Sequence, residues 1–303
     1  MKQNNLLVII VTYNAMPWLD RCYSSLRAST LPCDIITIDN GSTDGTPSYL
    51  KANFPEVELV ENGSNLGFGK ANNIGLQKAL DEGYDYAYLL NQDAWVMPDT
   101  FARLVGISQQ HPDFGILSPM QLKADGQHLD DKFAINVIGT HQHTRPLLTE
   151  DLYFHRQEGA YEVTFVMAAH WFITRRCFEQ VGGFSPTFYH YGEDDNYLNR
   201  TRYWKFRIGI CPEVQAVHDR ADSQWSEAKS LYINYYTMPV NCASNPLLPT
   251  SIWQIISNNA KAALRCHNRQ IWHYTLQIWH ERKQIADNLS VSLKSTAFLH
   301  LAR

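Results

Sequence analysis

The sequence predicts an α/β fold: a mostly parallel sheet flanked by helices, followed by a C-terminal helical appendage. Three observations predict it. Short apolar, β-branched runs alternate with helical patterns four times in the first third of the chain. Each run breaks at its carboxyl end into polar residues, with glycines following the second and third. Beyond Asp222 the apolar spacing becomes helical throughout. Repeated strand–helix alternation implies parallel strands joined by right-handed crossovers. In such open sheets ligands bind outside the carboxyl ends of the strands.

Leu6 to Val11 reads as the first buried strand; Thr12-Tyr13-Asn14 end it, and Pro17 opens a helix through roughly Arg27. Ile35 to Ile38 is the second strand. It runs into Asp39-Asn40-Gly41-Ser42-Thr43-Asp44-Gly45-Thr46, a tight turn rich in donors, and Thr46-Pro47 starts the next helix. A third strand near Val57 to Glu61 leads through Asn65-Leu66-Gly67-Phe68-Gly69 to a helix over Lys70 to Leu80. The fourth run, Ala87 to Leu90, stops abruptly at Asn91-Gln92-Asp93. A carboxylate carried past a buried strand can hold a divalent cation, and through it a phosphate. Standing alone, it reads sooner as a solvated strand-end Asp. Asp39 is similarly open, either a contact for a ribose or base edge or a turn former. Neither GxxxxGK[ST] nor, after the first strand, GxGxxG is present, which excludes a P-loop and argues against a standard dinucleotide fold.

A chain of 303 residues can bury a substantial core as one large or two small domains. Its net charge of −4 lacks the basic excess of a nucleic-acid binder. The charge is uneven: from Ser226 onward eight Lys and Arg face three Asp and Glu, leaving −9 on the remainder. A basic tail on an acidic body points to an anionic partner for the tail. The six cysteines are scattered without a CxxC pair, as expected of reduced thiols. Met1 to Asn5 leads straight into a short strand, too brief for a signal peptide, and no run is long enough to span a bilayer. The expected location is cytoplasmic.

In the middle of the chain a helix over Asp99 to Gln110 and a strand at Gly115 to Leu117 extend the sheet. Residues from about Lys123 to Tyr161 lose periodicity, and His141-Gln142-His143 within them reads as surface loop rather than a metal pair. Tyr161 to Met167 is expected to be a strand leading into Ala168 to Ile173, where Trp171 either stacks on a sugar ring or fills the core. Tyr189 to Asn196 begins a helix whose first turn holds Glu193, Asp194 and Asp195. Acids there are favoured by the helix dipole alone. A positioned one can also remove a proton from a hydroxyl. Asp194 and Asp195 point about 100° apart, so one hydroxyl cannot use both equally. Arg200, two turns on, is expected to pair with a carboxylate or approach a diphosphate. Phe206 to Ile210 and Val214 to Val217 read as two short strands, followed by His218. In the tail, Ile271, Trp272, Thr275, Ile278, Trp279, Ile285, Ala286 and Leu289 form a stripe bordered by basic residues. Such a helix packs on the rest of the chain, makes a homodimer, or lies in a membrane interface.

The segments Val11-Thr12-Tyr13-Asn14, Ile38 to Thr46, Asn65-Leu66-Gly67-Phe68 with Ala71, Asn73 and Gly75, and Leu90-Asn91-Gln92-Asp93 occur in order. Together they resemble the nucleotide-binding half of family 2 glycosyltransferases, which have the GT-A (Rossmann-like) fold, and within that family the bacterial rhamnosyltransferase-like enzymes of cell-surface polysaccharide synthesis. The resemblance covers roughly residues 5 to 225. It implies that Thr12 and Asn14 line a nucleotide pocket bordered by Asn73, and that Asp39 contacts the base or ribose. Asn91-Gln92-Asp93 is similar to the family's Asp-x-Asp element with Asn in the first place, which weakens sugar contact at Asn91 and keeps Asp93 as a ligand for Mg²⁺ or Mn²⁺. The Glu-Asp resemblance makes Asp194 the catalytic base, with Glu193 orienting the acceptor. His218 matches a histidine that contacts the metal or diphosphate.

The expected organisation is a catalytic domain over residues 1–225 and a helical extension over 226–303. Within the catalytic domain, about 5–95 would serve the donor and about 160–220 the acceptor. The resemblance implies an inverting transferase that moves a sugar from a dTDP- or UDP-sugar to a saccharide or lipid-linked acceptor, with the enzyme cytoplasmic or peripheral at the inner face of the membrane. Asn91 also permits a non-catalytic nucleotide-sugar-binding protein of the same fold. A glycoside hydrolase would leave the nucleotide-like loops without purpose. A processive synthase is disfavoured by the lack of spanning helices and of a QxxRW element.

Overall fold

A computed structural model of the chain describes residues 5–138, 148–155, 159–220 and 226–299. The first half runs β1 (Leu6–Thr12), α1 (Leu19–Arg27), β2 (Asp34–Asp39), α2 (Thr46–Asn53), β3 (Glu58–Glu61), α3 (Phe68–Asp81) and β4 (Tyr86–Asn91). Then come β5 (Ala94–Val96), α4 (Thr100–Gln110) and β6 (Phe114–Leu122), and after them the short α5 (Asp131–Phe133), a π-helical turn (Ala134–Ile138) and α6 (Leu148–Tyr153). The second half holds β7 (Tyr161–Glu162), β8 (His170–Thr174), α7 (Arg175–Val181), α8 (Glu193–Tyr203) and β9 (Arg207–His218). The tail is α9 (Glu227–Tyr232), a second π-helical turn (Ile233–Thr237), α10 (Met238–Ala243), α11 (Ile252–Cys266) and α12 (Arg269–Ser292). His141 and His143 lie outside the described residues.

The strands form one sheet in the order β3-β2-β1-β4-β8-β6-β9-β5, with β7 beside β9. The expected parallel arrangement holds across β3, β2, β1 and β4. Beyond β4 the sheet is mixed: β8 lies antiparallel between β4 and β6, and β6 and β9 are parallel. β1 shows why the first runs are continuously apolar. Leu7 and Ile9 enter the core on one face, while Leu6, Val8 and Ile10 enter the core on the other. With both faces covered there is no polar alternation to read. On the first face α3 comes so close that a Cβ on Gly75 would sit 2.4 Å from the Ile9 side chain.

Two strand expectations are corrected. The run Tyr161 to Met167 is strand only at Tyr161–Glu162. Past it, the Ala168 amide donates to the Asp194 carboxylate, the Trp171 indole donates to the Val166 carbonyl and Gln121 to that of Met167. Side chains thus occupy the groups a ladder would use, and the strand is β8 instead. The two short strands expected near Phe206 and Val217 are one, β9, with a register shift where Cys211 pairs with Pro119 and Gln215 with Met120. β5 was not foreseen at all.

Within the tail Ile255, Ile278 and Ile285 cluster with Tyr236 and Val240, and this third apolar cluster meets the catalytic half at Phe188. Packing therefore accounts for one face of the α12 stripe; Trp272 on another face is exposed. No helix among the described residues is long and apolar enough to cross a membrane.

Candidate active site

The carboxyl ends of β1, β2 and β4 lie on one edge of the sheet. There the loop after β2 is knitted to the loop after β1. Both Asp39 oxygens are used: one accepts from the Gly41 and Ser42 amides, the other from the Thr12 and Ser42 hydroxyls. A carboxylate offers about four acceptor positions. Asp39 is also buried, as is Thr12. In the structure these two side chains organise the loop that the resemblance assigns to the nucleotide. Asn14, held at φ 53°, accepts from the Thr43 amide at 2.9 Å and so joins the same lattice. Next to it the Tyr13 amide donates to Gln92 at 2.7 Å, which ties β1 to the Asn91-Gln92-Asp93 turn.

Beside this edge opens a cavity of about 470 Å³, whose walls include Asn91, Asp93, Glu193, Asp194 and His218. Asp93 comes off the end of β4 and His218 is the last residue of β9. The Asp219 amide bonds the Asp93 carbonyl at 2.8 Å, which registers the two loops. The His218 Nε2 lies 3.4 Å from Asp93 Oδ1 and 3.5 Å from Asn91 Nδ2. Burial raises the Asp93 carboxyl, but the hydrogen bond and charge of His218 outweigh it and hold the group below its ordinary value. Asp93 is thus an anion at neutral pH, 21% exposed and facing the cavity. Behind His218 stands His170, fixed between the Tyr88 hydroxyl at 2.8 Å and the Val217 carbonyl at 3.0 Å. Burial, and then the neighbouring His218, pull its pKa down to about 3, so it remains a neutral strut.

Across the cavity, α8 starts at Gly192, whose φ of 90° favours glycine, and delivers Glu193 and Asp194 into the lining. Burial, then the charge of Glu193, push the Asp194 carboxyl well above its usual range; the Ala168 amide and Arg220 oppose this more weakly. Glu193 is raised to about 7, chiefly by burial, and its Oε2 is buried without a hydrogen-bond partner. Asp195 is exposed and is not among the lining residues. Two environments therefore face each other: an ionised carboxylate beside an imidazole, and an acid pair whose charge is disfavoured.

Other expectations are displaced. Trp171 is 0% exposed, stacks on Phe184 with ring centroids 6.0 Å apart, and commits its N–H to Val166. It is core and offers no face to a sugar. Asn73 clamps the Phe184 backbone at both ends of its amide, at 2.9 and 2.6 Å, and is not among the residues lining the cavity. Among the described residues Arg200 meets no carboxylate. It donates to the carbonyls of Val181, the last residue of α7, and of Gly183 beyond it, with its guanidinium over Phe298. Conversely, the cavity includes residues the sequence reading passed over. Arg220 donates to Asp130 and to His218 Nδ1, both at 3.3 Å, and its place two residues after His218 was the available signal. Lys132, Lys229 and Ile233 also line the cavity. The last two come from the helical extension and carried no local signal.

Residues 7–181 match the family model described as Glycosyl transferase family 2. The chain belongs to that family. As a family 2 glycosyltransferase it is similar to the N-acetylglucosaminyl-diphospho-decaprenol L-rhamnosyltransferase of Mycobacterium tuberculosis, at 28% identity over 71% of this chain and 76% of that protein. Among solved structures, S. aureus TarS residues 1–349 in complex with UDP matches with a TM-score of 0.55 and 15% identity, over 79% of this chain and 65% of that one. GalNAc-T7 with UDP, GalNAc and Mn²⁺ matches with a TM-score of 0.57 and 16% identity, over 81% and 51%. The chain thus spans about two thirds of the former and half of the latter. These likenesses establish the GT-A fold.

Enzymes of this family and fold generally use a divalent metal, and the residues of this glycosyltransferase fit one. Among the described residues no three His, Cys, Asp or Glu side chains cluster as a cage. In the cavity wall Asp93 and His218, 3.4 Å apart, are close enough to share an ion. Magnesium-type sites are commonly completed by substrate phosphates rather than by protein. An anionic oxygen and an imidazole at the cavity wall, leaving the other positions open, suit that kind of site.

Proposed function

We propose that the chain catalyses inverting transfer of a sugar from a dTDP- or UDP-sugar to a hydroxyl of a saccharide or lipid-linked acceptor, in cell-surface polysaccharide synthesis at the inner face of a membrane. One observation carries the reading: Asp93 and Asp194, from opposite sides of the sheet edge, line one cavity. The lipid-linked acceptor class is supported by the name of the mycobacterial relative, which specifies a diphospho-decaprenol acceptor.

Asp93 and His218 would hold Mg²⁺ or Mn²⁺, which when bound supplies positive charge against the departing nucleoside diphosphate. Arg220, beside His218, adds fixed positive charge at the same wall. Asp194 accepts the proton of the acceptor hydroxyl as that oxygen bonds to the anomeric carbon and the carbon–phosphate-oxygen bond breaks. Its raised pKa makes it a stronger base than an ordinary carboxylate once ionised. Glu193 accepts from the acceptor and sets its angle.

The test is Asp194→Asn. Donor binding, read as a thermal shift with each nucleotide sugar and Mn²⁺, is expected to persist, while transfer falls about 10²–10⁴-fold. Near-wild-type transfer by this variant would refute the assignment. A wild-type chain that binds a nucleotide sugar tightly but never breaks it down, with or without acceptor, would make it a binding protein.

A further inference from the structure

The outer face of the helical extension is unlike the rest of the surface. Eight of the fourteen large apolar residues exposed among the described residues fall there, on about a quarter of the described chain. The loop between α10 and α11 reads Asn245-Pro246-Leu247-Leu248-Pro249, and Leu248 is 79% exposed, the most of any. Trp253, 61% exposed, follows in the first turn of α11; Leu264, three helical turns on, shares its face, opposite the buried Ile255, Asn259 and Ala263. On α12, Trp272 and Leu276 are one turn apart and exposed. The Arg282 guanidinium lies 5.9 Å from the Trp253 ring and 4.6 Å from that of Trp279, joining the two helices into one aromatic–cationic patch.

Lys261, Arg265, Arg269 and Lys283 are exposed on the same two helices, and α11 carries no acid. We infer that this face, the Leu247–Leu248 loop with the outer sides of α11 and α12, docks on a lipid bilayer bearing anionic headgroups. Apolar residues amid Lys and Arg, with tryptophans to sit at headgroup depth, are what interfacial binding requires. Charge selects the occupant: the extension is +5 and the remainder −9, so the negative surface of a membrane attracts this face and repels the other. A second copy fits poorly, because an isologous contact would set the same positive patch against itself.

The face also bears on the site. Ile233 lines the cavity, and in the next helical turn Tyr236 packs against Ile255 and Ile278 beneath the docking face. The inference deepens the lipid-linked acceptor reading and rests on it for its purpose, but not for its test.

The test is co-sedimentation of the full chain with vesicles of phosphatidylcholine, alone or mixed with phosphatidylglycerol. Binding is expected only with the anionic mixture and is expected to weaken with salt. Leu248→Ser with Trp253→Ser, and separately Lys261→Glu with Arg265→Glu and Arg269→Glu, are each expected to weaken it about tenfold or more. Acceptor-independent breakdown of the nucleotide sugar should be unchanged in both variants. Failure to bind anionic vesicles, or binding indifferent to both variants, overturns the inference while leaving the transferase reading intact. So does a dimer, seen by sedimentation equilibrium, that Trp253→Ser dissociates in a chain that ignores vesicles. Vesicle binding without donor breakdown would refute the transferase instead.

Discussion

Glu193 gives the most quantitative prediction. It is 7% exposed, its Oε2 has no partner, and its pKa is raised from 4.5 to about 7. The folded state therefore keeps this proton at pH values where the unfolded chain has released it. Stability must then fall as pH rises through the window from 4.5 to about 7. The displacement corresponds to about 3 kcal/mol when fully developed, near pH 8 and above. Glu193→Gln keeps the shape and removes the charge. The amide carries its own cost, since a buried group without a partner loses about 1–3 kcal/mol. That cost is shared by the protonated acid and does not change with pH, so it cancels between two pH values. Urea unfolding of both proteins at pH 5 and pH 8 should show the variant gaining roughly 2–3 kcal/mol on wild type across that interval. For a chain of 303 residues this is a relative Tm gain of about 4 °C. Activity gives a second readout. With the neighbouring charge gone, Asp194 ionises more readily, so the acidic limb of kcat/KM moves to lower pH even as the acceptor KM rises. A pH-independent stability difference would mean that Glu193 is solvated in the folded chain, and the argument would fail.

Two further predictions concern the opposite wall and the core. Asp93→Asn should raise the Mn²⁺ concentration needed for half-maximal turnover by at least the ~10–100-fold that losing even a supporting residue costs; an unchanged metal titration would remove Asp93 from that role. Trp171→Ala should destabilise the chain by about 3–5 kcal/mol while leaving the donor and acceptor KM of the folded fraction unchanged. A raised acceptor KM with little loss of stability would restore the sugar-stacking role that its burial denies.

Of the first four strands, β1, β2 and β4 were legible because each is buried on both faces and ends abruptly; the same break at Asn91 made Asp93 visible as a strand-end carboxylate. Asp39 looked equivalent in sequence. What separates them is who supplies the donors: Gly41, Ser42 and Thr12 use up the oxygens of Asp39, whereas those of Asp93 face a cavity. No residue pattern encodes that count of lone pairs. Tyr161 to Met167 misled for a related reason. Its β-branched and aromatic composition suits a strand, yet side chains of Asp194, Trp171 and Gln121 claim the backbone groups beyond Glu162. Long-range side-chain partners decided both cases.

The extension looks in sequence like an attachment, but it helps to hold the proposed base. α8 is fixed near its start by Asn241, which donates to the Gly192 carbonyl at 2.9 Å, and by Asn196 reaching the Ser244 carbonyl at 3.4 Å. Further along, the Tyr197 hydroxyl and Arg200 bind the carbonyls of Gly182 and Gly183, and Phe298 covers the Arg200 guanidinium. The Gly183 amide in turn donates to Ala297 at 2.8 Å. A helix start that carries two acids disfavoured as anions has reason to move outward toward water. These contacts oppose that movement from both ends, and four of the six involve residues beyond 226. The angle at which Asp194 meets an acceptor is therefore set jointly by the family core and by a segment that also faces outward. Whatever that segment rests on bears on the geometry of the acceptor side.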